Sequence, residues 1–198
     1  MNILNTIACM YITLAPIIVA GIINMIVCKL KIFKALQVPM DGGKYLRDGN
    51  RIFGDNKTWK GFISYIVLGG IFTVIWGMVI KNTGLNVLDY FYVDHQNTIS
   101  FNIMIGLLLG LAYALFELPN SFLKRRLGIT PGKSIEGGRK FFFVFLDQAD
   151  SIFGCALVVW MFYNLGIVRY IGFVLLGAFT HIIMNMLLYF LHLRKNMF

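Results

Sequence analysis

A chain of 198 residues that is 58% hydrophobic and 14% charged is too apolar for a disordered segment or an ordinary soluble domain. Its formal charge of +9 comes from 18 Lys and Arg against 9 Asp and Glu, which in a soluble protein would suggest nucleic acid. Here the cations flank long apolar runs, so the expected partner is a bilayer and no nucleic acid is expected. Cys9, Cys28 and Cys155 fall inside apolar segments without C-x-x-C spacing, which argues against a disulfide framework and a zinc ribbon.

A spanning helix needs roughly 20 mostly apolar residues at about 1.5 Å per residue. Runs of that kind fall at 6–28, 62–80, 100–118, 146–165 and 170–191. The sequence therefore predicts an all-α, polytopic membrane protein with five transmembrane helices, folded as a single membrane-embedded domain over 1–198. The first run is not read as a secretory signal: no basic region precedes it, no A-x-A-like site ends it, and basic residues follow it. Polar connections lie at 29–61, 81–99, 119–145 and 166–169. Eight basic residues lie in 29–61, six in 119–145 and two after the last run, against only Lys81 in 81–99 and Arg169 in 166–169. Because positive flanks stay cytoplasmic, the N-terminus is expected outside a cell membrane, and the C-terminus and the two long loops inside.

The acids point to the same side. Asp41, Asp48, Asp55, Glu117, Glu136, Asp147 and Asp150 lie in or beside the two long connections, leaving only Asp89 and Asp94 elsewhere. The first connection, Pro39 to Gly61, is dense in Gly, Asp and Lys or Arg. Such a loop suits close backbone approach to a phosphate. A plain solvated loop carrying orientation charges accounts for its cations but not for its glycines and aspartates. Asn56-Lys57-Thr58 matches a glycosylation acceptor but falls on the expected cytoplasmic side and is discounted. The second connection holds Gly128-Ile-Thr-Pro-Gly132-Lys133-Ser134, which has one residue too few between its glycines for a P-loop and no strand before it. Lys124, Arg125 and Arg126 follow the third run, where an orientation signal alone would also place them.

The strongest local signal is Asp147-Gln148-Ala149-Asp150-Ser151. The apolar stretch after it is too short to span, so the fourth helix must take in both aspartates, each costing about 2.5–3.5 kcal/mol at depth. Residues three apart share a helix face, and two carboxylates that close repel unless a cation lies between them. Mg²⁺ commonly takes one or two protein carboxylates and completes its shell with phosphate and water. The competing explanation is a helix N-terminus whose dipole tolerates acids. His181 and Asn185, four apart in the last run, are expected to make interhelical hydrogen bonds, as are Asn24 and Asn102. Trp59, Tyr90, Tyr92 and Tyr170 suit aromatic belts at the span ends.

Four segments, in order and spacing, resemble the CDP-archaeol synthases: Asp41-Gly42-Gly43-Lys44, Gly54-Asp55-Asn56-Lys57-Thr58-Trp59-Lys60-Gly61, Glu117-Leu-Pro-Asn120-Ser121-Phe-Leu-Lys124-Arg125-Arg126 and Asp147-Gln148-Ala149-Asp150. The likeness runs through essentially the whole chain. A more distant one is to the phosphatidate cytidylyltransferases, through Ser121-x-x-Lys124-Arg125, Pro131-Gly132 with Gly137-Gly138, and Asp147-Gln148-x-Asp150-Ser151. Relative to that second family the chain carries Gln148 in place of an Arg, lacks the K-D pair after S-x-x-K-R, and has fewer spans.

The resemblance implies an integral-membrane enzyme that joins CTP to a membrane lipid phosphate, giving a CDP-activated lipid and pyrophosphate. It implies Asp147 and Asp150 on Mg²⁺ with Glu117 as a further acid, and Lys124 and Arg125 on phosphates. It also implies a nucleotide-binding set of Asp41, Gly42, Gly43, Lys44, Asp55, Lys57, Lys60 and Ser121. The CDP-alcohol phosphotransferases are set aside, because no Ala-Arg follows Asp41-Gly42 and the later aspartates are three apart, not four. A small transporter or channel subunit is the alternative from another class; it would place its acids at mid-span rather than at one face.

Overall fold

The computed structural model describes residues 3–130 and 140–192. Six helices follow in chain order: α1 Ile3–Lys29, α2 Trp59–Thr83, α3 Tyr90–Val93, α4 Ile99–Arg126, α5 Lys140–Phe162 and α6 Gly166–Phe190. All but the short α3 are long and apolar enough to cross a membrane. Among the described residues there is no strand, only isolated antiparallel bridges at Pro39 with Thr58 and Tyr45 with Arg51.

Each long helix shows lipid-facing and core-facing sides. Exposed apolar residues recur every fourth position, as Ile63, Val67, Ile71, Ile75 and Val79 on α2 and Ile103, Leu107, Leu111 and Leu115 on α4. Such stripes would be untenable in water and mark the surface that meets hydrocarbon. The core is made by Leu14, Ile17, Ile105, Leu109, Ile152, Val159 and Phe173, all nearly inaccessible. In order of contact the bundle runs α1, α2, α4, α5, α6, and α6 returns to α1 through Thr180 Oγ1 donating to Tyr11 Oη at 3.2 Å. The α2–α4 crossing is the closest because Gly69, Gly106 and Gly110 meet backbone there; a Cβ on Gly110 would lie 2.7 Å from Tyr65 O. Pro16 inside α1 removes the N–H that would bond the Ile12 carbonyl, and Trp76 Nε1 of α2 donates to that oxygen at 2.9 Å instead.

The two ends differ. At one end, residues 84–98 fold back as a cap: Gly84 terminates α2 in the left-handed region at φ 73°, and Asp89 caps α3 by accepting from Phe91 N at 3.0 Å. Tyr90 and Phe91 pack into an aromatic cluster with Tyr163, Phe173 and Phe162. The other end carries the 30–58 loop, the C-terminus of α4 and the N-terminal half of α5.

Helix boundaries differ from the sequence expectation in ways that matter. α4 continues through Pro119 to Arg126, so Lys124, Arg125 and Arg126 are not in a loop but form its last turn, where cations complement the dipole. α5 is described from Lys140, which places Asp147 and Asp150 at least two turns inside it. The dipole explanation for the acid pair therefore fails, since that effect fades within one turn. The connection expected at 166–169 lies at 163–165 instead, because α6 starts at Gly166 and takes in Arg169. Pro131-Gly132, Lys133-Ser134, Glu136, Gly137-Gly138 and Arg139 lie outside the described residues.

Candidate active site

Glu117, Asn120, Ser121 and Lys124 are three or four residues apart on α4 and so share a face. That face meets Asp147 and Asp150 of α5. Lys124 Nζ pairs with Asp147 Oδ2. Asn120 Nδ2 donates to Asp147 Oδ1 at 2.7 Å and to Asp150 Oδ2 at 2.8 Å, so one amide nitrogen joins both acids. Asp150 also accepts from Ser151 N at 2.6 Å and is buried, whereas Asp147 is only partly covered. Beneath the pair, Asn185 Nδ2 of α6 donates to Gln148 Oε1 at 2.6 Å, and Tyr113 Oη lies 3.3 Å from His181 Nε2. His181 and Asn185 thus make the interhelical contacts expected of them, and Asn24 and Asn102 do likewise with Ser64 and Tyr92.

Around the acids stand cations. Lys57 Nζ pairs with Glu117 Oε2 across from the loop to α4. Burial works against the Lys57 ammonium, but Glu117, with Asp150 and Asp147 also in electrostatic reach, more than offsets it and holds its pKa above the ordinary value. Arg125 is buried, and its Nε and Nη1 have no hydrogen-bond partner among the described residues. Buried donors of that kind are costly, and an anion would satisfy them.

The 39–58 loop is built around Asp41. Its carboxylate accepts from Gly43 N at 3.0 Å, Phe53 N at 3.0 Å, Gly54 N at 2.9 Å, and from Arg51 Nη2 at 2.6 Å and Nε at 3.2 Å. Burial alone would raise this acid, yet the Arg51 guanidinium and those backbone N–H groups hold it well below the usual carboxylate range. Gly42 and Gly43 make the turn at φ 57° and 78°, which a side chain would strain. Arg126 fastens the loop to α4, donating to Asp48 Oδ1 at 2.8 Å, to Asn50 O at 3.3 Å and to Arg51 O.

The profile of the CarS-like CDP-archaeol synthases matches residues 3–198. The chain belongs to the CarS-like CDP-archaeol synthase family. The CDP-archaeol synthase of Methanospirillum hungatei JF-1 is 30% identical over 164 residues, covering 80% of this chain and 88% of that protein. That of Pyrococcus furiosus is 35% identical over 94 residues, 48% of each chain. The chain spans about half the length of this relative and of the Thermococcus onnurineus one, at 51%. A solved structure described as an intramembrane enzyme for archaeal membrane lipids biosynthesis superposes with a TM-score of 0.60, covering 89% of this chain and 92% of that one at 21% identity; this is a likeness of fold. With five apolar helices in that fold, the family member described here is a multi-pass membrane protein.

Set against the family's motifs, the residues expected at the site divide. Asp147, Asp150, Lys124, Lys57 and Glu117 come together at the α4–α5 face, with Ser121 on the same side of α4, and Arg125 is buried on the last turn of that helix. Lys60 does not join them. Its chain is 1% exposed and its ammonium donates to Leu30 O at 2.7 Å, closing the C-terminus of α1. Asp41 is spent on the loop's own backbone rather than left open to a ligand. Asp55 is mostly exposed and pairs with Arg51 at 2.9 Å, while Gly42, Gly43 and Lys44 lie on the exposed turn of the loop. Asn120 and Arg126 stand in the quoted motif without a site role expected of them, and Arg51 carries no expectation of its own. Asn120 had a usable signal, being one turn before Lys124 on the face that carries Glu117.

The donor set suits a hard cation. Two carboxylates converge on one point, and a third oxygen, Asn120 Oδ1, is buried there with no partner among the described residues. Among those residues no three His, Cys, Asp or Glu form a cage. Paired carboxylate oxygens are the donors that Mg²⁺ takes, with phosphate and water completing its shell.

Proposed function

We propose that this protein transfers CMP from CTP to a membrane lipid phosphate of the archaeal ether type, releasing pyrophosphate, at a site on the cytoplasmic face. The observation that carries the reading is the junction of Asp147 and Asp150 through Asn120, with Lys124 paired to Asp147, at the end of the bundle where Arg125 leaves Nε and Nη1 without a partner among the described residues. The names of the family and its relatives supply the substrates. The excess of basic residues in 29–61 and 119–145 supplies the orientation.

In this reading a lipid phosphate oxygen forms a bond to the α-phosphorus of CTP while the bond from that phosphorus to the β-phosphate oxygen breaks. Pyrophosphate leaves with the electron pair. The acceptor is already ionised at neutral pH, so no general base is required. The chain's task is to align two anions and offset their charge. Arg125 offers a planar fork and Lys124 a point charge to the phosphates. Lys57 exchanges Glu117 for a phosphate oxygen. The 39–58 loop, held in shape by Asp41 and fastened by Arg126, closes over the nucleotide with Lys44 on its exposed turn. Mg²⁺ held by Asp147 and Asp150 would neutralise part of the triphosphate charge. Glu117 stands outside that pair and acts through Lys57.

An acceptor panel tests the proposal. Purified protein in vesicles, given CTP and Mg²⁺, is expected to release pyrophosphate with an isoprenoid ether lipid phosphate and to do so more slowly with phosphatidate. Equal turnover of both would remove the ether assignment, and inertness across the panel would remove the enzyme.

A further inference from the structure

We infer that Asn120 is an exchangeable ligand of the acid pair: its NH₂ group holds Asp147 and Asp150 in register while no cation is present, and its carbonyl oxygen turns inward to join the ion when one arrives. The inference rests on the reading that these acids hold a divalent cation.

Three observations carry it. Asn120 is 7% exposed, so its amide has no solvent to exchange with. Both of its hydrogens are used on the two acids, at 2.7 and 2.8 Å. Its Oδ1 is buried and accepts nothing among the described residues. A buried amide in that state is half satisfied, and the unsatisfied half is the one a metal ion would bind.

Nitrogen and oxygen of an asparagine amide are nearly the same size and trade places by rotation about one bond. With no divalent ion in the site, the NH₂ inward is favoured, because it donates a hydrogen bond to each acid. With a divalent cation between the carboxylates, an inward N–H dipole is repelled and an inward carbonyl is attracted. Asn carbonyls are ordinary ligands of hard cations. The same side chain therefore stabilises the empty site and contributes to the filled one. A leucine could do neither, and an aspartate only the second.

That difference supplies the test. The full-length protein in detergent is titrated with Mn²⁺, alone and with CTP, and the free ion is read by electron paramagnetic resonance. Native protein is expected to bind, and Asp147→Asn to lose binding. Asn120→Leu should weaken binding by about tenfold or more, while Asn120→Asp should stay within about threefold of native or bind more tightly. If Asn120 were only a clamp of the empty site, Asn120→Leu would bind Mn²⁺ as tightly as native or more so, because only the empty site would lose a contact. That outcome overturns the inference. Should Asn120→Leu fail to fold, Asn120→Ala takes its place with the same two outcomes. Native protein that binds no Mn²⁺ under either condition overturns the metal reading and this inference together.

Discussion

Asp41 and Asp89 are both buried, lie outside the spanning helices and sit at opposite ends of the bundle, yet they are held in opposite states. At the site end, Arg51 and three backbone N–H groups surround Asp41 and keep it ionised despite its burial. At the capped end, burial dominates for Asp89 and pushes it up to about 6, against weaker opposing help from Phe91 N, Thr13 and Trp76. No ion pair forms at Asp89 among the described residues. The difference is one guanidinium and two further backbone N–H groups. Where a guanidinium and several N–H groups converge, as at Asp41, a buried acid stays charged and fixes a loop; where aromatic rings pack around it, as at Asp89, an acid merely caps a turn. Charge at the site end is therefore built in and supported, and at the capped end it is tolerated.

The largest expected effect of breaking this arrangement lies at the site itself. Lys124→Met removes the cation from Asp147, and pyrophosphate release should fall by about 100-fold or more with helix content unchanged; near-native turnover would show that Lys124 merely balances charge. Next comes the loop. Asp41→Asn leaves Arg51 facing a neutral partner and should cost about 3 kcal/mol locally, seen as faster proteolysis within 39–58 and a higher KM for CTP. An unchanged cleavage rate would mean that Asp41 does not hold the loop.

The smallest effect concerns pH at the two aspartates. Asp89 has a folded value above its unfolded one near 4, so the folded state binds its proton more tightly. Its contribution makes stability fall as pH rises from about 4 to about 6 and leaves it lower above that window. Asn is a good N-cap and carries no charge, so Asp89→Asn should raise Tm at pH 7 by a few degrees and flatten that slope. Asp41 runs the other way: its folded value lies below the unfolded one, so its contribution is present above about pH 4 and is lost as pH falls. A lower Tm for Asp89→Asn at neutral pH would remove the contrast.

Much of the fold was legible because a spanning helix announces itself by length and hydropathy alone. The five runs and the acid pair were visible in that way. Helix ends were less so. Pro119 reads as a stop, yet a helix in a bundle tolerates it, and the cations beyond it belong to α4. Phe141 to Leu146 reads as a flank to the apolar run and is part of α5. The loop misled for another reason. Lys60 and Asp41 look like ligands because Lys and Asp near glycines suit phosphate chemistry, but their partners, Leu30 O and the backbone of 53–54, are set by folding across the chain, not by spacing. Asn120 stands in the Glu117–Arg126 motif, one turn before Lys124, but its role appears only once Asp147 and Asp150 are seen to meet its amide.

The central claim is that the paired acids of α5, facing the cations of α4, carry the transfer. It is tested most directly by following CTP labelled on its α-phosphate in vesicles containing native, Asp147→Asn or Asp150→Asn protein. The account predicts that label enters the lipid fraction with native protein, with an equal amount of pyrophosphate released, and that either variant loses this transfer while keeping native helix content and Tm. A folded variant that still moves label into lipid at the native rate would contradict it.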